Sequence, residues 1–361
     1  MLLAHISDTH LGATQYGKEE RENDFYNAFK EAIDIIIKEH VELVIHAGDI
    51  FDMPRPSGTA IVKLLDELKR LEEHNIRFVF VLGEHDISRL RATPVPSLYD
   101  KIKLATHLGN KDNNTIKVKD LTIVGYRKHR LNEISNLKDN LSRLKIEGKK
   151  ILVLHQGLKE FHEYANELTH TDLPNDFDYY AMGHLHNKGE KLFNEFKGPV
   201  CYPGSTEITR FAEDENIEKG FYLVDLSNNT NTTWIKLDIR QHISVNYDET
   251  KMEEIIEEIK KAHKKPIVKV LLKDPSKREI VRRLEEYALH VIPQYVRKGY
   301  TLSTNKERSN IHDEMMKCAE KILGSRDKAN FAINELLETL LTNEDDALEI
   351  LWNAYKNKRF G

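Results

Sequence analysis

With 361 residues, 40% of them hydrophobic, the chain is long enough for one large core and one or two smaller units. No uncharged apolar run approaches the ~18 residues of a membrane span, and the start, MLLAHISDTH, turns polar too early for a secretory signal; two cysteines far apart, Cys201 and Cys318, argue against a disulfide framework and a thiolate metal site. A formal charge of −5, from 54 basic and 59 acidic residues, carries no global basic signature, so a phosphate-binding surface would have to be local. An intracellular protein is expected.

Leu2–Ile6 reads as a strand. Residues 24–39 carry Phe25, Phe29, Ile33, Ile36 and Ile37 at the three-four spacing of one apolar helix face. A strand at 41–47, a helix at 60–74 with Ile61, Leu64, Leu65, Leu68 and Leu71 on one stripe, and a strand at 78–82 complete a βαβαβ order, which implies parallel strands under covering helices. Further strands are expected at 115–118, 121–126, 151–154, 179–182 and 221–224, too many for one sheet. The expected fold class is therefore α/β, a two-sheet sandwich. After a hairpin closed by Asn228–Thr232 (NNTNT), the pattern restarts past Arg240 with helix 249–263, strand 267–272, helix 276–289 and strand 290–296, a small α-β-α-β unit. From Thr304 the chain turns helical: 313–323, 326–341 and 344–355, with apolar positions including Leu348, Leu351 and Trp352. The expected division is 1–240, a catalytic core; 241–303, a capping domain; and 304–361, C-terminal helices.

The strand endings carry the chemistry. The first leads into Ser7-Asp8-Thr9-His10, the second into Gly48-Asp49 with Asp52 following, and the third into Glu84-His85-Asp86; 151–154 ends in His155, and 179–182 ends in Gly183-His184-Leu185-His186. Ligands of parallel α/β folds gather outside the carboxyl ends of strands, so these five endings converge if the sheets pack as expected. Taken singly, Asp8 is more often a turn residue, and His155 is as readily a satisfied core histidine. Taken together, they read as a metal site. Imidazole mixed with carboxylate suits manganese, iron or zinc better than magnesium or calcium, and the ligands are too many for one ion. Two ions roughly 3.5–4 Å apart, sharing a carboxylate, would use them all and would suit phosphoester hydrolysis.

Asp8-Thr9-His10, Gly48-Asp49, Gly83-Glu84-His85-Asp86, His155 and Gly183-His184-Leu185-His186 closely resemble the ordered motifs of the calcineurin-like metallophosphoesterases. The fuller context, SDTHLG at 7–12, GDIFDMPRP at 48–56, LHQG at 154–157 and YPGSTE at 202–207, resembles the SbcD-type double-strand-break repair nucleases of archaea. The likeness covers about residues 1–300. It implies two manganese ions: Asp8, His10, Asp49 and His186 on one, with Asp49 bridging, and Glu84, His155 and His184 completing the second. It implies His85 as the catalytic residue beside the scissile phosphate, with a hydrogen-bonding role alongside Asp86 as the plainer alternative. Two positions depart from the family: Glu84 stands where asparagine is general, and Asp52 where a histidine is frequent. Glutamate adds a negative charge to the second metal position and repels phosphate, so it is expected to lower turnover or change metal preference.

The resemblance also implies 3′-5′ exonuclease and endonuclease action on double-stranded DNA ends, an SMC-like coiled-coil ATPase docking on the terminal helices, and a homodimer, to which the 60–74 stripe would contribute unless it packs on the sheet. No glycine-rich nucleotide loop followed by Lys-Ser or Lys-Thr occurs, so ATP hydrolysis is not expected of this chain. Arg55, Arg89, Arg91, Lys128 and Arg130 are candidate phosphate contacts, and Lys273, Lys277, Arg278, Arg282 and Arg283 crowd the capping unit. A phosphodiesterase for small esters and a catalytically weak DNA-binding scaffold are the competing readings. The expected location is cytoplasmic, by the nucleoid, with no membrane association.

Overall fold

The computed structural model describes every residue except 89–91, 110–113, 163–164, 166, 211–217, 247–251, 273–277, 296–307, 343 and 357–361. Fifteen strands occur among the described residues: β1 (Leu2–Ile6), β2 (Leu43–His46), β3 (Arg77–Phe80), β4 (Thr106–His107), β5 (Thr115–Val118), β6 (Leu121–Tyr126), β7 (Lys149–His155), β8 (Tyr179–Gly183), β9 (Gly189–Lys191), β10 (Val200–Tyr202), β11 (Gly220–Asp225), β12 (Asn231–Lys236), β13 (His242–Asn246), β14 (Ile267–Leu272) and β15 (His290–Tyr295). The α-helices are α1 (Glu19–Lys38), α2 (Gly58–Glu73), α3 (Ser97–Lys101), α4 (Ile134–Ser142), α5 (Met252–Lys260), α6 (Arg278–Glu285), α7 (Arg308–Leu323), α8 (Arg326–Asn330), α9 (Leu337–Thr342) and α10 (Glu344–Lys356). A π-helical stretch, Phe331–Leu336, joins α8 to α9.

Two six-stranded sheets, β12-β11-β1-β2-β3-β4 and β5-β6-β7-β8-β10-β9, form the α/β sandwich. Leu3, Leu43, Ile45 and Val79 from the first sheet meet Ile123, Ile151, Val153 and Ala181 from the second in a buried layer between them. The outer face of the first sheet is covered by α1 and α2 through Phe29, Ile33, Ile36, Leu64, Leu68 and Leu71. The 60–74 stripe is thus spent on the core, and Val62 is the exposed apolar residue of α2. On the second sheet, Leu137 and Leu141 of α4 pack with Leu152, Leu154 and Tyr180. Helix α2 begins at Ser57, whose hydroxyl accepts from Ala60 N–H at 3.1 Å, the expected N-cap bond.

The restart past Arg240 gains a strand that the pattern alone did not mark: β13 pairs parallel with β14, and β14 with β15, making a three-stranded sheet with α5 and α6. Its core holds Val245, Ile255, Ile256, Ile259, Val268, Val270 and Leu284. In the terminal helices the small buried set of Ala329, Phe331, Ala347 and Ala354 contrasts with exposed Leu340, Leu348, Leu351, Trp352 and Tyr355.

Polar bonds also cross the sandwich, two of them from one ring. His5 of β1 is buried; its Nε2–H donates to the Met182 carbonyl at 3.1 Å, and its Nδ1 accepts from the Tyr179 hydroxyl at 2.9 Å, both on β8. Burial, against the favourable carbonyl, lowers the His5 pKa to about 3. The unfolded chain therefore binds a proton near pH 6.5 that the native protein refuses until about pH 3, so stability falls with pH through that window. From pH 7 to 5 this one ring is expected to cost about 2 kcal/mol. Denaturant melts at the two pH values check it: His5→Gln should lose less stability on acidification than the unaltered protein.

Candidate metal centre

The carboxyl ends of β1, β2 and β3 in one sheet, and of β7 and β8 in the other, meet at one edge of the sandwich, since β1-β2-β3 and β7-β8 run parallel. The β1–β2 ladder continues past the strands: Asp8 N–H donates to Gly48 O at 3.0 Å, His10 N–H to Asp49 O at 3.1 Å and Leu11 N–H to Ile50 O at 2.8 Å. Asp8, His10, Asp49 and His184 all hold positive φ, at 53°, 43°, 53° and 92°. Side chains disfavour that region, so the surrounding ladder holds these four against local strain, a pattern typical of functional sites.

Among the described residues, five overlapping groups have their ligand atoms within 4.8 Å of one another: Asp8, His10 and His186; Asp8, Asp49 and His155; Glu84, His155 and His184; Asp49, Glu84 and His85; and His10, Asp52 and His85. His155 Nε2 lies 3.3 Å from Asp49 Oδ2 and 2.7 Å from Glu84 Oε2, and Glu84 Oε1 lies 2.7 Å from His184 Nδ1. His186 Nε2 is 3.8 Å from Asp8 Oδ1 and 3.1 Å from His10 Nε2. Asp8, His10, Asp49 and His155 are buried, whereas the side chains of Glu84, His184 and His186 are 22%, 19% and 31% exposed. The site has a sealed floor and an open side.

These residues fit a cation. His155 Nδ1–H donates to Ala47 O at 2.7 Å, which leaves Nε2 as the lone-pair atom, and both His155 Nε2 and Glu84 Oε2 are buried without a hydrogen-bond partner although they face each other. Burial opposes charge on His155, yet Asp49 and Glu84 raise its pKa well above the ordinary value, so the carboxylates draw positive charge to this point. Burial likewise opposes the Glu84 carboxylate, but His184, Lys128 and His155 hold its pKa well below the usual range. His186 Nδ1 is 2.6 Å from the Thr209 hydroxyl, an outer partner of the kind that orients metal-binding imidazoles.

Five neighbours depart from expectation or carry no signal in the sequence. Asp86 does not engage His85: its carboxylate accepts from the backbone N–H groups of Ile50, Phe51 and Gly83 at 3.2, 3.1 and 3.0 Å, binding the Asp49 and Glu84 loops together. Burial and then the Asp49 charge push its pKa up to about 7 against those three donors. Asp52, which stands where the resembled family often has a histidine, holds His85: its carbonyl accepts from His85 Nδ1–H at 2.7 Å, and its carboxylate lies 3.5 Å from His10 Nδ1. Lys128, expected as a phosphate contact, is 3% exposed and forms a buried ion pair with Glu167. Thr209 and Glu167 carried no sequence signal, sitting in loops whose course only the fold determines. Arg55 is exposed and Arg130 half-buried, while Arg89 and Arg91 lie outside the described residues.

The family model of the calcineurin-like phosphoesterase superfamily domain matches residues 1–229. The chain belongs to this superfamily. Proteins named DNA double-strand break repair protein Mre11 match most of its length: 35% identity over 311 residues with that of Sulfolobus acidocaldarius, covering 80% of this chain and 81% of the relative. For Sulfurisphaera tokodaii the values are 37% over 300 residues, 79% and 77%, and for Methanocaldococcus jannaschii 35% over 282 residues, 74% and 75%. The chain is therefore a member of the Mre11 family, a metal-dependent phosphodiesterase. No helix among the described residues is long and apolar enough to cross a membrane.

A glycine tests the geometry. A Cβ on Gly83 would sit 2.1 Å from Asp49 Oδ1 and 2.5 Å from Asp49 N, so the Asp49 carboxylate must move. Gly83→Ala is expected to weaken divalent-cation binding about 10–100-fold, the scale seen when support of a ligand is lost, with the secondary structure kept. Calorimetric titration with Mn2+ beside a circular dichroism spectrum checks both halves.

Proposed function

We propose that this chain is a manganese-dependent nuclease that trims and cuts the ends of broken double-stranded DNA, as a 3′-5′ exonuclease and endonuclease, with two ions sharing Asp49. The observation that carries the reading is the place of Asp49: it belongs both to the group with Asp8 and His155 and to a group with Glu84 and His85. Asp8, His10, Asp49 and His186 would hold one ion; Asp49, Glu84, His155 and His184 would hold the other. When bound, such a pair supplies an activated water and a clamp on the non-bridging oxygens of the phosphodiester.

His85 is the proton donor to the leaving 3′ oxygen. Its Nδ1–H is committed to the Asp52 carbonyl, so Nε2 carries the transferable proton, and its backbone N–H donates to Asp49 Oδ1 at 2.9 Å, which ties the ring to the shared carboxylate. Burial works against its charge, while Asp49, Glu84 and Asp52 raise the pKa above its ordinary value, and a positioned imidazole is the group best suited to proton transfer near neutral pH. DNA is held through phosphates, with Arg55 and Arg130 as contacts, so ends rather than sequences are selected. The relatives' printed role in double-strand break repair supports this substrate over a small ester, and we read the protein as acting beside chromosomal DNA.

The exposed apolar set Leu348, Leu351, Trp352 and Tyr355 is the dock for a coiled-coil ATPase, the partner that would present DNA to the site. A second copy of the chain is part of the same assembly, covering exposed Val62, Leu98 and Ile102. Removing residues 305–361 is expected to leave Mn2+-dependent cleavage of a small phosphodiester intact and to abolish co-purification of the ATPase; a core that unfolds instead would make these helices part of the fold.

His85→Gln is expected to lower kcat on duplex DNA about 10²–10⁴-fold, the range of general acid catalysis, while Mn2+ uptake and DNA binding stay unchanged. Cleavage assays at saturating Mn2+ with end-labelled duplex check this. Binding without cleavage by the unaltered protein would instead make it a scaffold.

A further inference from the structure

Lys128 is a cation buried against the open half of the metal centre. Its backbone N–H donates to Leu82 O at 2.8 Å, which sets it beside the Gly83-Glu84 turn. Its ammonium pairs with Glu167 and lies 3.2 Å from His184 Nε2. Glu167 is held in place from the other side, where its Oε2 accepts from Gln156 Nε2 at 2.8 Å and from Gly157 N–H at 2.7 Å. The result is a file of groups running from the centre into the protein: Glu84, His184, Lys128, Glu167.

An imidazole that binds a metal ordinarily donates its other N–H to a carboxylate or carbonyl. His155 conforms, with Ala47 O as acceptor. His184 does not, because an ammonium has donors and no acceptor. In this arrangement His184 Nε2 accepts from Lys128, and Nδ1, 2.7 Å from Glu84 Oε1, carries the ring proton. A cation on Nδ1 requires the proton on Nε2, and there the Glu167 Oε1 acceptor is 3.8 Å away with the Lys128 ammonium beside it. The same ammonium adds a positive charge beside the position, and Glu84 supplies a negative one where the resembled family has asparagine.

We propose that Lys128 is a positioning residue and internal counter-cation: it competes with a divalent ion for His184, balances the Glu84 carboxylate, and so weakens the ion position formed by Glu84, His155 and His184. The inference rests on the two-ion reading. Glu84 and Lys128 are one compensated pair, and the second ion binds only by displacing the ammonium toward Glu167. The enzyme holds one ion firmly and takes the other at higher concentration.

Titration of Mn2+ into the full chain, with free Mn2+ followed by electron paramagnetic resonance, reads both midpoints without any turnover. Lys128→Met is expected to tighten the weaker midpoint roughly tenfold or more, on the scale of outer-partner effects, and to leave the tighter one in place. Damage to the fold would weaken both, so tightening is diagnostic. Should Lys128→Met fail to fold because Glu167 is left unpaired, Lys128→Met combined with Glu167→Gln removes both buried charges and carries the same expectation. Two midpoints in every protein, with the weaker one unmoved or weakened in the variants, overturn the inference. Uptake of a single ion by the unaltered chain and the variants alike overturns the two-ion reading, and the inference with it.

Discussion

The carboxylate of Asp49 is the constraint on which the rest of the centre depends. It lies at the edge of the sandwich where strand ends of both sheets meet, within 3.3 Å of His155 from the second sheet and 4.0 Å of His10 from the first, and it accepts the backbone N–H of His85. The approach is possible only because the neighbouring backbone lacks side chains. Gly48 holds φ +97° with its Cα against the His155 ring, and Gly83 leaves room for the Asp49 carboxylate itself. A close-packed interior transmits such constraints rather than absorbing them. Apolar packing between the sheets thus places the charged groups, and their mutual repulsion is the quantity a bound cation relieves.

Asp86 shows how the repulsion is contained without a second cation. Its three N–H donors come from both the Asp49 loop and the Glu84 turn, so one side chain fixes the spacing of two groups that repel. Burial and the Asp49 field resist a second charge there, and they push its pKa up to about 7 against three favourable hydrogen bonds. The cost of this arrangement is met by the ladder between the two loops, Asp8 to Gly48 and His10 to Asp49, which keeps strained residues in register.

Much of this was legible in the sequence, for a physical reason. Strands that end in Asp, His or Glu mark carboxyl termini of parallel strands, and the fold must bring those together. So the sequence names the seven carboxylate and imidazole groups that the fold brings together, and the alternation of apolar runs marks the principal strands of both sheets. What escaped has causes of its own. β10 is three residues between Pro199 and Pro203, and β9, Gly-Glu-Lys, has no apolar residue, so neither shows a period. β13 mixes His242 and Ser244 with Ile243 and Val245, and its partner lies across a helix in the chain. α4, with Ile134, Leu137 and Leu141 buried at helical spacing, was there to be read. Lys128 looked like a surface cation because its counter-charge, Glu167, lies 39 residues away in an irregular loop. Pairing at that distance is a property of the fold, not of any local pattern.

The same holds for the link between the core and the small sheet that follows it. Asp24 on α1 accepts from Arg21 Nη1 at 2.7 Å and from Arg240 Nε and Nη2 at 2.6 and 2.9 Å, and Arg240 Nη1 donates onward to the Lys265 carbonyl. Arg21 reaches Glu207 and the Ile208 carbonyl, beside the Thr209 whose hydroxyl meets His186. Gln15 joins the same cluster through Arg21, and its neighbour Tyr16 stacks on His290 of β15 at 4.5 Å between ring centres. A buried set of this kind adds little net stability over well-packed apolar groups, but removing one member strands a charge. Its consequence here is geometric: the groups that seat the small sheet on the core also hold the turn that orients His186. The placement of that sheet and the orientation of one candidate ligand are therefore set by a single network, and neither is free to change alone.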